Sequence, residues 1–183
     1  ELIRMADDEE GLREHLERAQ EAVNTGRGII RQVGDRASER RREYTEVRDA
    51  VDAVLSLLSH RLEEGNYELQ IRVPEELAVA LPTARLKEVL MNLASNALDA
   101  MSGCGTLRIE ARRRGEDCVL EVADTGPGIP SDFNGSVFDP FFSTKGAENM
   151  GLGLSVVRGI VERNGGKITV QSRPGEGTTF RVR

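Results

Sequence analysis

Glycine divides this chain into two kinds of backbone. The 183 residues contain 19 glycines, yet between Asp35 and Ser102 only Gly65 occurs. From Gly103 onward glycines recur, several in tight groups. Each glycine inside a helix costs about 1 kcal/mol relative to alanine. Long helices therefore belong to the front of the chain. The back is punctuated at positions where backbone must turn sharply or approach something closely.

The front carries a heptad seam. Apolar or small residues stand at Leu12, Leu16, Ala19, Val23, Ile30, Val33 and Ala37, with Gly26 at the seam position between Val23 and Ile30. So narrow a stripe needs a partner helix. The expectation is a helical segment over 1–43 that dimerises or forms a hairpin, weakened locally by Gly26, Gly28 and Gly34. A charged stretch, Glu39–Arg48, ends it, with a short strand at Tyr44–Val47. A second amphipathic helix follows, with Val47, Val51, Val54, Leu55, Leu58 and Leu62 on one face. Tyr67, Leu69, Ile71 and Val73 alternate as a half-buried strand. Pro82-Thr83 opens a further helix, with Thr83 as the expected N-cap.

Behind that helix, Thr106–Arg113 and Cys118–Ala123 read as a hairpin, and residues 125–150 as a long irregular loop. A helix over Leu154–Arg163 stops at Asn164-Gly165-Gly166. Lys167–Ser172 and Thr178–Arg183 form a last hairpin. Helices and antiparallel strands segregate, which predicts an α+β fold built as a two-layer sandwich.

Charge and composition narrow the function. There are 25 Lys+Arg against 31 Asp+Glu, a net charge of −6, which disfavours a globally basic grip on nucleic acid. No run of roughly 18 apolar residues spans a membrane, and no signal peptide is visible. Cys104 and Cys118 have neither disulfide-framework nor zinc-ligand spacing and read as free thiols of a cytoplasmic protein. The chain starts at Glu1 without a Met, so a fragment is expected, of a parent that can carry a membrane anchor.

Four segments carry chemistry. On the helix from Thr83 to Met101, Glu88, Asn92, Asn96 and Asp99 share a sector of about 80°. Leu86, Val89, Leu90, Leu93, Ala97, Ala100 and Met101 lie opposite. A merely solvated face is usually rich in Lys and Glu, whereas Asn is a poor helix former, so two Asn in line with carboxylates read as ligands. Next, Ala123-Asp124-Thr125-Gly126-Pro127-Gly128-Ile129 puts an acid at the end of an apolar strand, followed by a tight turn. Glycine there lets a planar ligand approach, and Asp124 can accept from an exocyclic amine, with Thr125 or a water completing the pattern. Asp-Thr-Gly also occurs in aspartic proteases, but those need a paired second aspartate in an all-β setting. Third, Met150-Gly151-Leu152-Gly153-Leu154 runs into a helix and exposes backbone N–H groups to an anion. The dinucleotide fingerprint fails, because position 156 is Val; the phosphate-loop pattern fails at Val161 and Ile168. Fourth, Phe138-Asp139-Pro140-Phe141-Phe142-Ser143-Thr144-Lys145 holds three of the five Phe. Their burial predicts a lid over about 130–150, and Lys145 can offer a point charge to a phosphate. Gly175-Glu176-Gly177-Thr178-Thr179-Phe180 closes the chain.

In this order the segments resemble the catalytic ATP-binding domain of sensor histidine kinases, within the GHKL (Bergerat-fold) ATPases, over 44–183. The Asn-bearing helix resembles the N box, Asp124–Gly128, Gly151–Gly153 and Gly175–Thr179 the three glycine boxes, and Phe138–Phe142 the F box. The Phe-Phe-Ser-Thr-Lys run is most similar to the nitrogen-regulation and PAS-linked branch. The resemblance implies a mixed sheet with helices on one face, preceded by a long helix. It implies ATP and Mg²⁺ as ligands, with Asn96 on the metal, Asn92 beside the phosphates, Asp99 among the cofactor-binding residues, and catalysis by Asn92, Asn96 and Lys145. It places Asp124, Gly126, Gly128, Ile129 and Thr179 around adenine, and Gly151, Leu152, Gly153, Leu154, Phe142 and Lys145 around the phosphates and under the lid. The implied partners are a response-regulator receiver domain and a second copy joined through the N-terminal helix. In hydrolysing relatives a Glu stands one turn before the metal-binding Asn; here that residue is Asn92, which cannot take a proton from water.

The chain departs from the family's pattern in places. Asn149 stands where another glycine is usual, and Met150 replaces a frequent Thr. Neither His15-Leu16-Glu17-Arg18 nor Ser59-His60-Arg61-Leu62 has the acceptor pattern of histidine, acid, base and proline. The 12–37 helix resembles the second helix of the dimerisation hairpin, so the acceptor histidine is expected before Glu1.

Overall fold

The structure is a computed structural model that describes residues 44–133, 135–142 and 151–183. The expected dimerisation helix over 12–37, its glycines and Lys145 lie outside the described residues. All described residues belong to the unit formed by 43–183.

Among the described residues seven strands and four helices follow one another. They are β1 (Thr45–Glu46), α1 (Val47–Leu57), α2 (Ser59–Glu64), β2 (Asn66–Arg72), β3 (Ala78–Val79), α3 (Thr83–Met101), β4 (Cys104–Arg114), β5 (Asp117–Asp124), α4 (Gly153–Arg163), β6 (Ile168–Arg173) and β7 (Gly177–Val182). A single 3-10 turn, Ser131–Phe133, lies between β5 and α4. β1 and β3 pair as a small antiparallel ribbon. The other five strands form one sheet in the order β2-β4-β5-β7-β6. Only β2 and β4 run parallel, joined by a crossover through α3; the remaining pairs are antiparallel. The sheet is therefore mixed, with both expected hairpins present.

Period-two alternation builds the layer. Leu107, Ile109 and Ala111 on β4, Leu120 and Val122 on β5 and Phe180 on β7 are buried against the helices. Their neighbours face the other way. Helix α3 is the centrepiece. Leu86, Val89, Leu90, Leu93, Ala97, Leu98 and Met101 give it a wide buried stripe, and it packs on α1, α4 and the sheet. Val47, Ala50, Val51 and Val54 of α1 complete the core from one side, Val157, Ile160 and Val161 of α4 from the other.

Three local expectations change. The helix expected from Val47 to Leu62 is two helices, because the chain turns at Leu58. Thr83 is the first residue of α3, not its cap: Pro82 occupies the N-cap position with no side-chain cap bond, and the Thr83 hydroxyl lies 3.0 Å from that of Thr45. Thr45 in turn donates to the Leu81 carbonyl at 2.6 Å, tying the β1–β3 ribbon to the start of α3. Finally, Ala100 does not join the apolar side of α3; it lines a cleft along the helix's other face.

Candidate functional site

One face of α3 stays uncovered by the sheet, and a cleft of about 790 Å³ opens along it. Asn92, Ser95, Asn96, Asp99 and Ala100 form one wall. The opposite wall is mostly backbone: Pro127 and Gly128 after β5, and Gly151-Leu152-Gly153 running into α4. Asp124, Ile129, Val137, Phe142, Leu154, Thr178 and Phe180 complete the lining.

Asp124 is the last residue of β5 and sits at the inner end of the cleft. It is only 8% exposed, so its carboxylate needs partners. Its Oδ1 accepts the Gly126 N–H at 2.8 Å. Gly126 thus stands behind Asp124, holding it, rather than on the cleft surface. Gly128 has φ +74°, and a Cβ there would collide with the Arg173 carbonyl of the β6–β7 turn. Gly177 has φ +87°, and a Cβ would run into the Asp124 carbonyl. Both positions demand glycine for two independent reasons, handedness and space. Together they let the two turns seat Asp124. The Ile129 N–H donates to Ser172 Oγ at 2.8 Å, and Gly175 N–H to the Pro127 carbonyl at 2.7 Å, fixing the same junction.

Helix α4 begins at Gly153, and Gly151 to Leu154 at its N-terminal end line the cleft. A Cβ on Gly153 would lie 2.8 Å from Asn92 Oδ1, so the two walls meet here. Asn92 is held by a bond from its Nδ2 to the Glu88 carbonyl, 2.8 Å. The arrangement combines an anion-attracting helix end with two amide side chains one turn apart.

The expected site residues thus largely converge. Asn92, Asn96, Asp99, Asp124, Gly128, Ile129, Phe142, Gly151, Leu152, Gly153 and Leu154 all line one cleft. Some do not. Glu88 lies off it, paired with Arg85 at 3.0 Å. Thr125 turns away and accepts the Thr106 N–H at 2.9 Å. Thr179 pairs with Ala123 on the outward face of β7; the residue beside Asp124 is Thr178, 6% exposed, its hydroxyl 2.9 Å from Ser172 Oγ. The phenylalanines divide as well. Phe138 packs edge-on to Phe180 and Phe142 lies against Phe133. Phe141, expected to bury, is 73% exposed and has φ +67°, an uncommon conformation for a bulky residue.

Arg61, which no motif or periodicity marks, also belongs to the site. From α2 its Nη1 donates to Ser95 Oγ at 2.9 Å and its Nη2 reaches Asp99 Oδ1. It therefore clasps two residues of the cleft wall from outside. His60, its neighbour, is exposed and lies 3.0 Å from Glu64 on the same helix, away from the cleft. Among the described residues no group of three or more His, Cys, Asp or Glu could hold a metal alone, and no helix is long and apolar enough to cross a membrane.

Comparison with known proteins gives a consistent result. The model of the family described as "Histidine kinase-, DNA gyrase B-, and HSP90-like ATPase" matches residues 82–183. The sensor histidine kinase ZraS of Salmonella typhimurium is 37% identical over 136 residues, 73% of this chain and 29% of that protein. The sensor kinase CckA of Brucella abortus is 35% identical over 179 residues, 87% of this chain and 19% of that protein. The chain thus spans less than a third of the length of these curated relatives. Among solved structures, the catalytic domain of the histidine kinase ThkA superposes with TM-score 0.70 at 30% identity, covering 76% of this chain and 92% of that domain. A second ThkA structure, solved in complex with the response regulator TrrA, has TM-score 0.68 at 26% identity, covering 89% of this chain and 48% of that one.

Proposed function

Because the chain belongs to the histidine kinase-, DNA gyrase B- and HSP90-like ATPases, and its relatives are sensor histidine kinases, we propose that it is the ATP-binding catalytic part of such a kinase. It transfers the γ-phosphoryl group of ATP to a histidine. The observation that carries this reading is the convergence of a seated Asp124, the amides of Asn92 and Asn96, and the N-terminus of α4 on one cleft.

Each part has a task. Asp124, pinned by Gly126, accepts from the exocyclic amine of adenine, and Thr178, in place of Thr179, supports the same edge through water. Ile129 packs on the ring. The N–H groups around Gly151, Leu152, Gly153 and Leu154 meet the phosphates. Lys145, outside the described residues, is the cation proposed to add charge to them. Among the described residues no carboxylate cage stands ready for a metal; Mg²⁺ would be held by the Asn96 amide oxygen with Asn92 nearby, together with phosphate oxygens and water, and would neutralise charge on the phosphates. In the transfer the bond from the γ-phosphorus to the bridging oxygen breaks, ADP keeps the electron pair, and a P–N bond forms to the imidazole.

Hydrolysis is disfavoured by the lining. Its carboxylates among the described residues are Asp99, clasped by Arg61, and Asp124, at the adenine end. Among the described residues no carboxylate lines the phosphate end, where Asn92 stands. The acceptor is neither His60, which faces away, nor His15, which lacks the acceptor pattern. A receiver domain of a response regulator and a second copy of the chain are the proposed partners.

The test uses γ-labelled ATP, Mg²⁺ and an added histidine-bearing hairpin domain of a relative. Acid-labile label on the added histidine, absent with Asn96→Ala, is expected. Stable incorporation at His15 or His60, or rapid phosphate release without acceptor, would overturn the reading.

A further inference from the structure

The sheet face turned away from the helices carries charge instead of apolar side chains. On it Arg112, Arg114, Lys167, Arg181 and Arg183 surround a groove of about 350 Å³ floored by Val119. Strand alternation and register gather them. Arg112 stands opposite Val119, Glu121 opposite Arg181, and Thr169 opposite Arg181 on the other side. Lys167 and Arg183 exchange two backbone hydrogen bonds, at 2.7 and 2.9 Å.

Two carboxylates reach this cluster. Glu121 bridges Arg112 at 2.9 Å and Arg181 at 3.0 Å. Burial opposes its ionisation, but the hydrogen bonds and charges of Arg181 and Arg112 outweigh that and hold its carboxyl below the usual range. Asp117 lies 3.4 Å from Arg183. Arg114 and Lys167 have no ion-pair partner among the described residues. Five cations less two anions leave +3 in one groove, on a chain whose net charge is −6. Such a concentration raises the local density of anionic partners.

The groove's chemistry selects among anions. The large exposed apolar side chains among the described residues are Tyr44, Leu57, Leu69, Phe133 and Phe141, none of them in it. A membrane-surface site needs such residues to insert, and a single-stranded nucleic-acid site needs aromatics for stacking. Glu121 beside the groove repels a phosphate dianion more than a single carboxylate. Guanidinium forks match carboxylates in geometry. We propose that this groove docks an acidic segment of a partner protein, its Asp and Glu side chains paired with Arg114, Lys167 and the outer arginines.

The groove lies at the opposite ends of β5 and β7 from Asp124 and Thr178, so its failure separates from failure of the nucleotide reading. The experiment is fluorescence anisotropy of a labelled peptide of alternating Glu and Ser. The whole chain is compared with its Arg114→Glu/Lys167→Glu variant, with a Gln/Ser peptide and phosphatidylserine-containing vesicles in parallel. Salt-sensitive binding of the acidic peptide, about tenfold weaker in the variant, is expected, with thermal midpoint and ATP-analogue affinity unchanged. No binding, equal binding by wild type and variant, or capture by the vesicles without binding of the peptide would overturn the proposal.

Discussion

The two walls of the cleft are built from opposite materials. The α3 wall presents side chains from a regular helix whose other face is among the most deeply buried parts of the molecule: Leu90 and Leu93 are 0% and 1% exposed. The facing wall presents backbone from glycine turns, positioned by other turns. The first gains precision from core packing, the second from the absence of Cβ atoms. A nucleotide suits such a pair, because its metal and sugar–phosphate groups need side-chain oxygens while its phosphates and flat base need close backbone approach.

The contrast can be broken one position at a time. The largest effect is expected at Gly128→Val. The new side chain meets the Arg173 backbone, and the left-handed conformation adds strain of about 1–3 kcal/mol. Thermal unfolding should shift down clearly and nucleotide affinity should fall below detection. Asn96→Ala comes next. It leaves a well-packed helix intact, so the unfolding midpoint should hold, while affinity for the ATP analogue becomes the same with Mg²⁺ and with a chelator. Gly153→Ala is more discriminating. At this first residue of α4 alanine gains little of the helix-interior preference, and its Cβ crowds Asn92 Oδ1, which must swing aside. Stability should hold and affinity fall by about tenfold, a divergence that a purely structural role for Gly153 does not produce. Arg61→Ala is the smallest. Its ion pair is half-exposed and such pairs are worth about 0.2–1 kcal/mol, so affinity should weaken only a few-fold by titration.

The same two materials explain what the sequence made legible. The α3 wall follows a 3.6-residue period, and Asn92, Asn96 and Asp99 could be aligned from spacing alone. The glycine wall could be located because glycine clusters after strands are rare without a reason. What escaped was whatever depends on tertiary register. Thr178 and Thr179 are adjacent, so a motif marks both, but only pairing with Asp124 and Ala123 decides which faces the cleft. Arg61 reaches Ser95 and Asp99 across more than thirty residues from a six-residue helix that carries no periodic signal. Ala100 lies at the border of two faces, where a helical wheel cannot assign a side. Phe141 was expected to bury because it is apolar, but the left-handed backbone at that position points it outward. The basic groove was hidden by a net charge of the opposite sign, since only the register of the sheet brings the arginines of β4 and of the end of β7 together.

Seating of adenine on Asp124 is the central claim, and isothermal titration calorimetry with a non-hydrolysable Mg·ATP analogue tests it most directly. Asp124→Asn retains an oxygen for the Gly126 N–H, so the fold should be kept, but the amide NH₂ opposes the exocyclic amine. Losing such a buried pairing costs about 1–3 kcal/mol. Saturable binding by wild type, reduced about tenfold to a hundredfold in Asp124→Asn, is the predicted result. No heat of binding in wild type, or equal affinity in the variant, would contradict it.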